Sequence, residues 1–268
     1  MESPGDLGMN IIRILNRMVK NHSVQHVFWA MFTQGLLSVV SFLIGFVIAV
    51  KAQKAEYGLY VLLFSIIGIF GNYQNAIVNT PLTILMRKQE NEKTFIGSFA
   101  LGQWIVLVPL IIIMIITAAV MSVFKDEFHL LKIASVLSLG IITYAWREFI
   151  RTLSYCLLKV KLVLKMDVIF TVVVFVFLAV LFFSGLISSY TAIIMLGAGY
   201  LISALMGYIE IGNHQKPDKE SLKNAAIQSW RCSRWSLIGV TSGLLQHRGY
   251  LYVITLFLGL SIVGDTSA

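Results

Sequence analysis

The chain has 268 residues, of which 57% are hydrophobic and only 13% charged, and its mean hydropathy is +0.82. Soluble domains carry roughly one quarter charged residues, so this composition excludes an ordinary soluble domain and points to an all-α polytopic membrane protein. The net charge of +8 invites a nucleic-acid reading, but the basic residues fall in short segments between apolar blocks, so no nucleic acid is expected as a partner.

Residues 1–26 form an amino-terminal segment. Within it, Ile11, Ile12, Leu15 and Met18 make one helical face and Arg13, Arg17 and Lys20 another. That pattern fits a helix lying on the membrane surface, or a polar tail that leads into the first span.

Seven apolar blocks follow, at 27–50, 58–86, 96–123, 128–158, 166–188, 190–210 and 236–262. Each is near or above the roughly 20 residues that a bilayer requires. The second, third and fourth exceed that length, which predicts tilt, a kink or a projecting end. Pro81 and Pro109 are the natural kink sites. Sixteen Lys and Arg residues flank one membrane side and four (Lys51, Lys54, Lys125 and Lys132) the other, which predicts a cytoplasmic amino terminus. Short outer connections predict antiparallel hairpins of neighbouring helices.

The expected organisation is a six-span lobe at 27–210, a cytoplasmic linker with a surface helix at 211–235, and a seventh span in 236–268. That seventh span would open a second lobe, which makes the chain the front portion of a longer protein.

Polar residues inside the spans are the candidate functional residues, because lipid leaves them no other solvent. Asn72, Asn75 and Asn79 recur at helical spacing before Pro81. Such a stripe lines an aqueous cavity and meets sugar hydroxyls, or binds neighbouring helices. Gln34 and Gln103 are single amides with helix-packing roles. Arg147 and Arg151 share one helical face with Tyr144 and Tyr155, and Glu148 lies within reach of Arg151. They serve either as a headgroup anchor or as a phosphate-binding patch at a cavity mouth. In the last block, Thr241, Arg248 and Tyr252 share a face while Gln246 points nearly the opposite way, which favours a helix enclosed by protein or cavity.

The three acids that fall inside apolar blocks, Glu148, Asp167 and Glu210, all lie toward the expected cytoplasmic ends. A cation-coupled antiporter ordinarily needs a carboxylate deeper in the membrane. No metalloprotease, nucleophile-elbow or phosphate-loop motif is present, and Cys156 and Cys232 form no metal spacing. An enzyme and a cofactor are therefore not expected. A membrane-embedded glycan polymerase or ligase would require a large outer loop, and every outer loop here is short.

The run Phe28 to Phe42 (FWAMFTQGLLSVVSF), the segment Glu56-Tyr57-Gly58-Leu59-Tyr60, Val78-Asn79-Thr80-Pro81 and Arg147-Glu148-Phe149-Ile150-Arg151 resemble segments of the polysaccharide-transport flippases. These O-antigen or lipopolysaccharide exporters belong to the multidrug/oligosaccharidyl-lipid/polysaccharide exporter superfamily. The resemblance implies two six-helix lobes around a central cavity in the bacterial inner membrane, about 12 to 14 spans in all. It implies flipping of a polyprenyl-pyrophosphate-linked oligosaccharide between leaflets, among membrane lipids and other polysaccharide-assembly proteins. By position, Arg248, Arg147 and Arg151 are then the candidates for the pyrophosphate, and Asn75, Asn79 and Gln246 for sugar.

Overall fold

The computed structural model describes residues 22–86, 91–125, 129–212 and 217–258; within them, the side chains at 22–28, 123–125, 247–248, 250–252 and 254–258 are outside the description. The amphipathic pattern from Ile11 to Lys20 within the amino-terminal segment and the last residues of the seventh block fall outside the described residues.

The described chain is a series of helices with no strand among the described residues. We label them α1 (His22–Lys51), α2 (Lys54–Leu85), α3 (Glu92–Lys125), α4 (His129–Cys156), α5 (Val160–Ser184), α6 (Ser189–Ile211) and α7 (Lys219–Leu258). Among the described residues, six helices are long and apolar enough to cross a membrane, namely those within α1 to α6. These correspond to the first six blocks read from the sequence.

α7 departs from expectation. The linker helix and the seventh apolar block are one continuous helix of 40 residues, and its described part is not among the six candidate spans. α6 ends at Ile211, and α7 begins at Lys219. There the Asp218 carboxylate accepts the Ser221 amide at 2.9 Å and starts the helix. Between Lys219 and Ile238 there is neither Gly nor Pro to interrupt it.

Local chemistry sets the other ends. α5 stops at Gly185, whose φ of +69° is the left-handed cap that glycine adopts without strain. α6 starts with a reciprocal Ser188–Thr191 capping box. Glu56, from the start of α2, accepts both the amide and the hydroxyl of Ser189 (2.9 and 2.5 Å), placing a negative charge at the α6 amino terminus.

Pro109 sits inside an uninterrupted α3, whereas at Pro81 the backbone gives way. Residues Asn75–Asn79 form a π-helical turn immediately before it. Proline offers no N–H, so the carbonyl of Ile77 loses its α-helical donor. The Ser229 hydroxyl of α7 donates to that carbonyl instead.

Two ends of the bundle are defined by contacts between helix termini. At one, Lys51 lies over the Phe182 ring and Lys132 over the Tyr190 ring. At the other, Lys165 donates to Glu210 at 3.2 Å. We call this second end the basic end.

Sequence neighbours are not always packing neighbours. The most extensive packing is of α4 on α6, followed by α5 on α6; α1 packs mainly on α5 and touches α2 only slightly. The expectation of adjacent hairpins therefore fails for the first pair, because a short link requires antiparallel direction but not side-by-side packing. Lipid provides no hydrophobic force between helices, so close approach is made by small residues. Gly71 lies against the Tyr144 ring, Gly199 against Val174 and Phe170, and Gly207 against Met166 and Ile150. One apolar core joins α1 to α6 (Ile44, Leu63, Ile111, Ile141, Val174, Ile193). A second lies toward the basic end (Leu82, Phe99, Leu153, Met166).

Candidate functional site

Two polar arrangements interrupt this apolar bundle. The first is a charge cluster between α4 and α5. Arg147 Nη2 donates to Asp167 Oδ1 at 2.5 Å, and its Nη1 donates to Glu148 Oε1 at 2.9 Å. Arg151 Nε reaches Asp167 Oδ2 at 3.4 Å, and its Nη1 lies 3.6 Å from Glu148 Oε2. Two guanidinium groups thus meet two carboxylates, and the cluster sums to zero charge.

Arg147 is 2% exposed and Asp167 is fully buried. The Arg147 guanidinium lies 4.6 Å from the centroid of Phe170 and 5.6 Å from that of Tyr200, two rings stacked 4.9 Å apart. Its Nε has no hydrogen-bond partner, so ring faces supply much of its environment. Arg151 stands over Tyr155 at 5.5 Å, as the shared helical face predicts.

This geometry corrects the expectation for Arg147. It is not at a cavity mouth facing phosphate. It is an interhelical clamp whose charge is spent on Asp167. Arg151 shares both carboxylates and remains only slightly exposed. Sequence reading found the Glu148–Arg151 pair but missed Asp167. The available signal was an aspartate inside an apolar block, which needs a partner wherever it lies along the helix.

The second arrangement is a seam of amides and hydroxyls where α2, α3, α4 and α7 meet. Gln74 Nε2 donates to Gln103 Oε1 at 3.1 Å and to the Ala145 carbonyl at 2.7 Å. Gln103 Nε2 also approaches that carbonyl, at 3.4 Å. Gln103 therefore has the packing role expected of it, while Gln74 was missed because a single glutamine beside three asparagines carries no periodic signal. Beyond the seam, Tyr73 and Thr241 share a hydrogen bond of 3.0 Å between α2 and α7.

The asparagine stripe is split. Asn72 and Asn75 are exposed, but Asn79 is 4% exposed and its Oδ1 is buried without a partner. The reason is the π turn. Its wider coil advances each residue by a smaller angle, so Asn79 slips off the face it would share in a regular α-helix. Asn79 is thus withdrawn from the sugar-facing set.

Gln246 is exposed on α7. The backbone of α7 runs through position 248 as helix, but the side chain of Arg248 lies outside the described residues.

Six apolar helices, a buried neutral charge cluster and an interhelical amide seam define the class: an all-α, multi-pass membrane protein. No protein-family model, curated protein or solved structure matches the chain.

Proposed function

We propose that this protein moves a polyprenyl-pyrophosphate-linked oligosaccharide from the inner to the outer leaflet of the bacterial inner membrane during surface polysaccharide assembly. In this reading the basic end is cytoplasmic. The face carrying Asn72, Asn75 and the adjoining part of α7 turns toward the substrate path.

The observation that carries the reading is the exposure of Asn72 and Asn75 at mid-depth. Asn72 lies 18 residues from the start of α2 and 13 from its end, hence about 27 Å and about 20 Å from the two ends. A carboxamide there faces hydrocarbon only at a cost, so the face suits water or sugar hydroxyls. Arg248, further along α7, is the proposed partner of the pyrophosphate, and Gln246 a further amide for sugar. Arg147 and Arg151 have no direct substrate role in this reading; they hold the lobe together.

A cation-coupled antiporter is the alternative. Asp167 supplies a buried carboxylate, but both of its oxygens face arginine, so it is a weak candidate for binding a transported cation.

The test is Asn72→Leu with Asn75→Leu in the full gene product, scored by export of surface glycan and by flipping of a labelled lipid-linked oligosaccharide in proteoliposomes. Loss of both at normal membrane abundance is the expected result. Full export with both amides removed rejects the reading.

A further inference from the structure

A groove of about 730 Å³ lies between α3, α4 and α6, with Pro217, just before α7, at its basic end. Gly97, Ala100 and Trp104 of α3 form one wall, Trp146 of α4 the floor, and Leu201 and Tyr208 of α6 the other wall. The α3 residues that meet the α7 cleft, such as Phe99, Gln103 and Val106, point the other way around the helix. The groove is therefore separate from the polar face assigned above to the substrate path, and depends only on the chain spanning a membrane.

Three features identify its occupant. The walls are mainly apolar, which suits a hydrocarbon chain. Lys93 lies four residues before Gly97, on the same helical stripe as Gly97, Ala100 and Trp104, and is exposed at the basic end. From Lys93 to Trp104 is 11 residues, about 17 Å along the helix. That is close to half of a hydrocarbon core of about 30 Å, the depth of one leaflet. Within the groove, Tyr208 stands 6.2 Å from Trp146 between ring centroids, an aromatic surface on which a hydrocarbon chain can lie.

A groove one leaflet deep, apolar along its length and headed by a cation, matches a phospholipid in shape and charge. We propose that it is a binding site for one anionic phospholipid of the bilayer. An acyl chain lies between α3 and α6 over Trp146, and the phosphate sits beside Lys93.

The test uses the full-length protein in mild detergent, titrated with phosphatidylglycerol or phosphatidylethanolamine and read by native mass spectrometry. One phosphatidylglycerol retained in preference to phosphatidylethanolamine is expected. Lys93→Gln, an exposed change that leaves the fold alone, should lower that retention about fivefold, the effect of one lysine charge near an anionic headgroup. Ala100→Phe should abolish retention by filling the groove, and Ile113→Phe, on exposed surface elsewhere on α3, should leave it unchanged. Equal retention of the two lipids with no effect of Lys93→Gln overturns the proposal. So does a dimer that Ala100→Phe splits, which would place a second copy of the chain in the groove.

Discussion

Arg147 and Asp167 meet at 2.5 Å across the α4–α5 interface, in a place where neither has water to fall back on. Each makes the other tolerable. A buried charge that loses its partner is destabilising by about 3–5 kcal/mol, whereas an apolar pair of similar volume is often neutral or better. Asp167→Leu is therefore expected to lower the thermal unfolding temperature in detergent sharply. Arg147→Met with Asp167→Leu should recover most of the loss, because Arg151 and Glu148 remain as a balanced pair.

The proline and the hydroxyl at the α2–α7 contact should be coupled. Ser229→Ala removes the donor to the Ile77 carbonyl and is expected to cost about 1–3 kcal/mol, the penalty of an unmet buried acceptor. Pro81→Ala restores a backbone N–H to α2, so Ser229→Ala should cost less in that background. A double-mutant cycle on thermal stability checks this, and strictly additive losses would refute the coupling.

Glycines at helix contacts should separate from those on open surface. A Cβ on Gly71 would lie 2.5 Å from Tyr144 Cε1, part of a stiff ring held edge-on to Tyr200. Gly71→Ala is expected to cost about 1–3 kcal/mol through overpacking. Gly45 meets nothing within 4 Å, so Gly45→Ala should be neutral or slightly stabilising. Unfolding of both variants in one detergent gives the comparison, and equal losses would contradict the packing described.

The start of α7 should respond to acid. The hydrogen bonds from Ser221 hold the Asp218 carboxyl below the ordinary aspartate value. A lowered folded-state value contributes stability above the unfolded value, and that contribution is lost as pH falls through the folded one. Amide exchange at 219–223, corrected for intrinsic rates, should therefore accelerate in strong acid. Asp218→Ala should show the acceleration already at neutral pH and no further acid step.

The sequence by itself determined the class and most of the spans. Hydrophobic runs longer than a bilayer is thick have few alternatives in water or lipid, so six of the seven blocks reappear as candidate spans within a few residues. Helical spacing was equally reliable over short range: the Glu148–Arg151 pair and the Arg151–Tyr155 stack both follow from residues three and four apart. Tertiary structure decided what spacing along one helix cannot carry. Asp167 is the partner of Arg147 from 20 residues away, and Ser229 serves a carbonyl 152 residues earlier. The π turn before Pro81 moved Asn79 off the stripe that regular geometry predicts, and α7 ran unbroken through an expected linker. Periodicity reports which face of a helix is polar; which neighbour that face meets depends on how the helices assemble, and the short links leave that open.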